Sequence, residues 1–256
     1  MGFFDWFKRK EFTPETENQV AIASPEIPTL YDIYTDGGAL RNGKKDCKAS
    51  WAFACPFPPE NQMDMVSSQL TQTTGTTKMG GTTIEVSSDS GLGGQQHGKL
   101  IKAVPVTYRA GMLQPIIKSD WHTNNKGELM AIIQALYWAR EQGMKRVRLI
   151  SDSQYAIYCI NHHVTNWRRK ANTEYFDLID ELARSFDLVD FSWVKGHVEN
   201  PTTLPEKMNE FVDDLCNDVL GVPRSYRHRS NQEGMTMNRS GFQNHKRKKY
   251  YPRRRR

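Results

Sequence analysis

TNNKGELMAIIQALYWAREQGMKRVRLISDSQY, residues 123–155, changes its period midway and so decides the architecture. After Glu128, the residues Leu129, Ile132, Ile133 and Leu136 recur at i, i+3, i+4 and i+7, which predicts an amphipathic helix ending near Gly143. RVRLIS at 146–151 then predicts a short strand, with Asp152 at its C-terminal end. Working outward toward the N-terminus, residues 30–35 (LYDIYT) and 49–55 (ASWAFAC) read as strands around the turn-like RNGKKD, and residues 102–109 read as a third. Toward the C-terminus, residues 153–163 and 172–186 read as helices, the second with Phe176, Ile179, Leu182, Ala183 and Phe186 on one face. DFSWVK at 190–195 is a fifth strand, and Met208, Phe211, Val212, Leu215 and Val219 mark a last helix with Pro205 near its start. Three strands, helix, strand, helices, strand, helix predicts an α/β fold: an antiparallel meander to which two strands are added in parallel through helical crossovers.

The 256 residues, 38% of them hydrophobic, suffice for one good core with appendages. Residues 29–220 are expected to form the folded domain. Within it, residues 68–98 are rich in Thr, Ser, Gly and Gln, too poor in apolar side chains to supply much core, and are expected to be an inserted long loop or extended hairpin. Residues 1–28 are expected to be a flexible segment. Their start, MGFFDWFKRK, leaves a weak membrane-surface or partner contact open, while Trp6 breaks the myristoylation pattern. The charge is divided unevenly. Nine Arg and three Lys against one Glu give residues 221–256 a net +11, which leaves −5 for residues 1–220 within the total of +6. A disordered basic tail suits a polyanionic partner, and an acidic body suits carboxylates that gather cations.

Cys47, Cys55, Cys159 and Cys216 form no C-x-x-C pair, so neither a zinc knuckle nor a disulfide framework is expected. No apolar run reaches the roughly 18–20 residues of a membrane span, and no signal peptide is recognisable. An intracellular, cytoplasmic monomer is the expectation, with the basic tail allowing a nuclear location in a eukaryote.

The candidate chemistry lies in acids at the ends of these elements. Asp36 follows a strand and precedes Gly37 and Gly38, Asp152 ends another strand, Glu128 lies near a helix start, and Asp213 sits on the last helix. Each has an ordinary alternative: a Gly turn, a helix N-cap, a favourable helix-dipole position, a surface charge. Together they mean more. Strand ends in a mixed sheet bring distant residues to one edge, and four carboxylates crowded there repel one another unless hard divalent cations are present. Two Mg2+ ions in such a cluster can stabilise both the attacking and the leaving oxygen of a phosphodiester displacement.

TDGG at 35–38, TNNKGELMA at 123–131, SDSQY at 151–155, WVKGH at 193–197 and NEFVDDL at 209–215 closely resemble the ordered motifs of type 1 ribonuclease H, over about residues 30–220. The resemblance implies a five-stranded mixed sheet flanked by helices. It implies an endonuclease that cuts the RNA strand of an RNA–DNA hybrid and leaves 5′-phosphomonoesters, with two Mg2+ ions per site and Mn2+ as a possible substitute. By analogy Asp36 bridges both metals, Asp213 completes the site that activates water, and Glu128 with Asp152 completes the other. Asp214 is the adjacent rival to Asp213, which is preferred because NEFVDDL aligns without a gap to the family's Asn-Glu-x-x-Asp-Glu-Leu pattern. His197 matches a histidine that assists turnover and product departure, a role in which an imidazole can either give or take a proton. Asn42, Asn124 and Asn125 match positions that contact the nucleic-acid backbone and minor groove, where an amide can donate to and accept from a 2′-hydroxyl. Thr123 matches a phosphate-pocket position on the DNA side. Asn166, Trp167, Arg168, Arg169 and Lys170 resemble a shortened basic protrusion that grips the hybrid. The basic tail, interleaved with Tyr250 and Tyr251, is expected to add phosphate contacts and stacking.

Three departures from compact family members stand out: the long Asp36-to-Glu128 interval, the extended loop from His197 to Asn209, and the basic tail. Two further readings stay open, a catalytically inactive hybrid- or RNA-binding module and another nuclease on the same fold.

Overall fold

The computed structural model describes residues 29–69, 71–88, 100–114, 116 and 121–223. The expected flexible segment 1–28, nearly all of the basic tail and the last part of the insertion lie outside the described residues. In chain order the elements are β1 (Leu30–Leu40), β2 (Lys48–Pro56), α1 (Met63–Ser67), β3 (Thr71–Thr74), β4 (Thr77–Ser88), β5 (Leu100–Met112), α2 (Asn124–Glu141), β6 (Arg146–Ser151), α3 (Gln154–Ile160), α4 (Thr173–Ala183), β7 (Leu188–Trp193) and α5 (Leu204–Leu220). The sheet order is β3-β4-β5-β2-β1-β6-β7. β6 runs parallel to β1 and β7 parallel to β6, while the other neighbours are antiparallel.

The side-chain alternation of β1 separates two cores. Ile33 packs with Trp51 and Phe53 of β2 and with Leu129, Ile132, Ile133 and Leu136 of α2. Tyr34 turns to the other face, where Ala52, Ala54, Val106 and Ala110 meet Met208, Val212 and Leu215 of α5. The first core is the heavier, with Trp138 of α2 against Phe53 at a ring separation of 5.3 Å. At about 1.5–3 kcal/mol for each large apolar side chain removed from water, these two layers fix α2 and α5 on opposite faces of β1.

Seven strands replace the expected five, and the insertion explains the difference. Residues 71–88 fold into the β3–β4 hairpin, and β4 pairs with β5 from Thr77↔Gly111 to Ser88↔Leu100. The central β2–β5 pairing is thereby preserved, with the hairpin added outside it. The Thr-rich composition still carries no core on β3, whose four residues are all exposed. β-Branched residues nevertheless suit a strand whose hydrogen bonds are supplied by a neighbour.

Local boundaries moved as well. α2 begins at Asn124 with Thr123 as its N-cap, so Glu128 stands in the second turn, buried, rather than at the helix entrance. β7 lies two residues earlier than expected, because its pairing with β6 starts at Arg146↔Leu188. Among the described residues, no helix is long and apolar enough to cross a membrane.

Candidate metal centre and nucleic-acid surface

The site forms where β1 passes the start of α2 and the end of β6. Contact of α2 with β1 and β2 is made by backbone: a Cβ on Gly37 of β1 would lie 2.1 Å from the Glu128 amide nitrogen, and one on Gly127 would lie 2.5 Å from the carbonyl oxygen of Ser50 on β2. Any side chain at these positions would lift α2 off the sheet. The approach allows the Gly37 N–H to donate both to Asp36 Oδ1 at 2.8 Å and to Glu128 Oε2 at 3.0 Å. Asp152 joins from the end of β6, where β6 is parallel to β1 and Thr35 faces Ser151. Ser153, not Asp152, caps α3 by accepting from the Ala156 amide.

Asp36, Glu128 and Asp152 each offer a carboxylate oxygen within 4.8 Å of the others. Asp36 and Glu128 are buried. Burial, and then the charges of Asp152 and Asp213, push the Asp36 carboxyl well above the usual carboxylate range, against which the Gly37 N–H pulls. Burial, and then Asp36 and Asp152, do the same to Glu128, opposed by Gly37 and by the Asn124 amide. Anionic groups this close and this dry are stable together only with protons or cations, and an all-oxygen donor set suits a hard divalent ion. Asp213 acts on this cluster from α5, while the neighbouring Asp214 lines a groove with Ile84, Glu85, Lys207 and Phe211 beside β4.

The amide residues connect to the carboxylates in a chain. Asn42 Oδ1 accepts from the Asn124 amide at 3.2 Å, and Asn124 Nδ2 donates to Glu128 Oε1 at 3.2 Å. Asn125 is exposed beside them. Thr123 Oγ1 accepts from the Lys126 amide at 3.3 Å, so this residue shapes the start of α2. His197 is exposed on the loop between β7 and α5 and holds a left-handed φ of 51°.

The shortened protrusion divides into two kinds of residue. Asn166, Trp167, Arg168 and Lys170 are exposed. Arg169 is turned inward. Its guanidinium pairs with both carboxylate oxygens of Asp180, donates to the carbonyls of Cys159 and Ile160 that end α3, and stacks over Phe176. A run of adjacent cations in sequence could not reveal which one the fold would consume. Two residues that touch Asp152 were likewise given no role by the sequence: Asn209, whose side chain donates to its Oδ2, and Gly196, packed against the same oxygen. Asn209 sits in NEFVDDL and Gly196 in WVKGH, so the motifs themselves were the available signal.

A sequence model of the RNase H family matches residues 81–220. Ribonuclease H of Maricaulis maris is 34% identical over 112 residues, covering 40% of this chain and 70% of that protein. Ribonuclease H of Hahella chejuensis is 37% identical over 110 residues, covering 39% of this chain and 67% of its own length. The structure of RNase H1 from the halophilic archaeon Halobacterium salinarum aligns with a TM-score of 0.42 at 18% identity, over 76% of this chain and all of that one. The family match begins beyond Asp36, yet it holds Glu128, Asp152 and Asp213, the acids that β1 and its neighbours gather around Asp36; this chain belongs to the RNase H family.

Proposed function

We propose that this protein is a ribonuclease H, an endonuclease that hydrolyses the RNA strand of RNA–DNA hybrids with Mg2+ held by Asp36, Glu128, Asp152 and Asp213. The observation that carries the reading is the convergence of Asp36, Glu128 and Asp152, from three separate elements, to within 4.8 Å. The donor set fits the ion, since burial and then mutual repulsion favour protonation of these carboxylates, and a divalent cation offsets both. Held by these carboxylates, two Mg2+ ions, or Mn2+ in their place, would supply charge stabilisation for a phosphodiester displacement.

The chain's own residues do the rest. Gly37 holds the carboxylates of Asp36 and Glu128 in one orientation through its single N–H. Asn124 orients the other Glu128 oxygen while its backbone fixes Asn42, so the amides that read the minor groove and its 2′-hydroxyls, Asn125 among them, are braced against the metal ligands themselves. Thr123, at the start of α2, receives a DNA phosphate with the help of the helix N-terminus. Trp167, Arg168 and Lys170, with Asn166, grip the strand from the exposed loop after α3, and Arg169 holds that loop in shape. His197, solvent-facing, exchanges a proton during turnover and departure of the cut product. The catalytic body spans residues 29–220, and the basic residues beyond it add electrostatic hold on the nucleic acid.

Cleavage of a strand-labelled hybrid tests the reading, with single-stranded RNA, duplex RNA and duplex DNA as controls. Metal-dependent internal cuts confined to the RNA strand of the hybrid, and absent in Asp152→Asn, are expected. Tight hybrid binding without cleavage in Mg2+ or Mn2+ would make the protein a binding module instead.

A further inference from the structure

We propose that Asn209 is a positioning residue for Asp152, acting with Gly196 as a clasp that fixes the plane of this one carboxylate; the proposal rests on the metal-dependent nuclease reading. A carboxylate at a strand end turns easily about its terminal torsion, whose energy profile is broad. Asp152 is held at three points. Its backbone carbonyl accepts from Trp193 Nε1 at 3.0 Å. Its Oδ2 accepts from Asn209 Nδ2 at 3.2 Å. On the loop side of the same oxygen stands Gly196, where an added Cβ would come within 2.0 Å of Oδ2.

Asn209 suits this task for three reasons. It is 5% exposed, so its amide is fixed by packing rather than averaged by solvent. It is a neutral donor, so it orients Asp152 without supplying a positive charge that would compete with a cation for the cluster. It precedes Asp213 by four residues on α5, which places both on one face of the helix and links the orientation of Asp152 to the element that carries Asp213. Gly196 in turn adjoins His197, so the loop bearing the histidine is seated directly on a metal-binding carboxylate.

The test uses the full chain and reads the Mg2+ concentration at half-maximal thermal stabilisation, alongside steady-state cleavage. Asn209→Leu keeps size and removes the donor. Gly196→Ala keeps every donor and pushes the same oxygen from the other side; Gly196 lies outside the left-handed region, so alanine is acceptable to the backbone there. Removing a hydrogen-bond partner of a metal ligand commonly weakens metal binding about 10- to 100-fold. Both variants are expected to shift the Mg2+ midpoint upward by roughly tenfold or more, while KM for hybrid at saturating Mg2+ stays within about twofold. If Asn209→Leu does not fold, Gly196→Ala alone reads the same oxygen. A merely structural role for these residues would lower the melting temperature equally with and without Mg2+ and leave the midpoint in place, which overturns the clasp. Absence of any Mg2+-dependent stabilisation in the wild type would overturn the metal-nuclease reading itself, and the clasp with it.

Discussion

Replacing Asp36 by Asn is expected to abolish cleavage and, in the absence of metal, to make the protein more stable. Two full charges 4.8 Å apart, the outer bound for this carboxylate cluster, repel by about 3.5 kcal/mol at an effective dielectric of about 20, and Asp36 faces two such neighbours. Burial first, and then this repulsion, lead the folded protein to retain protons here and push Asp36 and Glu128 well above the ordinary carboxylate range. The sign follows from the proton count. With the folded values raised above the unfolded ones, the native state binds more protons, so stability is fully present below about pH 4 and falls as pH rises toward the folded values. Each retained proton costs about 1.4 kcal/mol per pH unit across that window, or about 3 kcal/mol over two units. The amide that replaces the carboxyl in Asp36→Asn retains no such proton, and its oxygen can still accept from the Gly37 N–H.

A net gain of about 2 kcal/mol near pH 8 is a reasonable share of that cost, equivalent to about 4–8 °C for a domain of this size. The assay is thermal unfolding in EDTA from about pH 5 to about pH 8. The wild type should lose stability through this range and the variant much less, the two converging at the acid end. Saturating Mg2+ should then raise the wild type strongly, by about 2.7 kcal/mol at 100 times its dissociation constant, and the variant little. An Asp36→Asn protein that is less stable than wild type in EDTA throughout, beside a wild type whose melting temperature does not change with pH, would refute the reasoning.

Three further outcomes are expected. Asp213→Asn should lower kcat at least about 100-fold, the scale of one lost electrostatic contact to the transition state, while Asp214→Asn, facing the groove beside β4, should stay within about twofold. Arg169→Ala should destabilise the fold by about 2–3 kcal/mol, since Asp180 and two helix-end carbonyls lose their partner, whereas Arg168→Ala should leave the melting temperature in place, raise KM and flatten the salt dependence of hybrid binding by about 0.9. Removing residues 224–256 should reduce that salt slope by roughly five if six basic residues meet phosphates, with little change in kcat measured at low salt.

The sequence was most informative where one side chain meets one backbone need. The α2 and α5 periodicities put Leu129, Ile133, Met208 and Val212 into the two cores where they are found, because a 3.6-residue repeat is a local property. The parallel sense of β6 and β7 followed from the helical crossovers, while their place beside β1 did not. The hairpin strands were less legible: β4 exists because β5 supplies its partner, and amid Thr, Gly and Ser only Ile84 and Val86 alternate toward a core. The bracing of Asp152 was invisible for a similar reason. Asn209 and Gly196 lie 57 and 44 residues away in the chain, and only the parallel placement of β6 and β7, followed by α5, brings them together. Arg169 illustrates the remaining gap, since charge alone does not distinguish a cation that meets solvent from one that closes a helix end.

The added hairpin also changes which strand forms the margin of the sheet. Without β4, the 13-residue β5 would be a bare sheet margin carrying Ile101, Val104 and Val106, the type of long apolar edge on which chains zip together. With the hairpin in place, the margin over Thr77–Gly80 is the four-residue β3, reading Thr-Gln-Thr-Thr and turned wholly to water, and beyond Gly80 it is β4 itself, with α1 packed close at Gly81. The insertion therefore shields the long β5 edge by pairing it, and places a short, fully exposed polar strand at part of the new border.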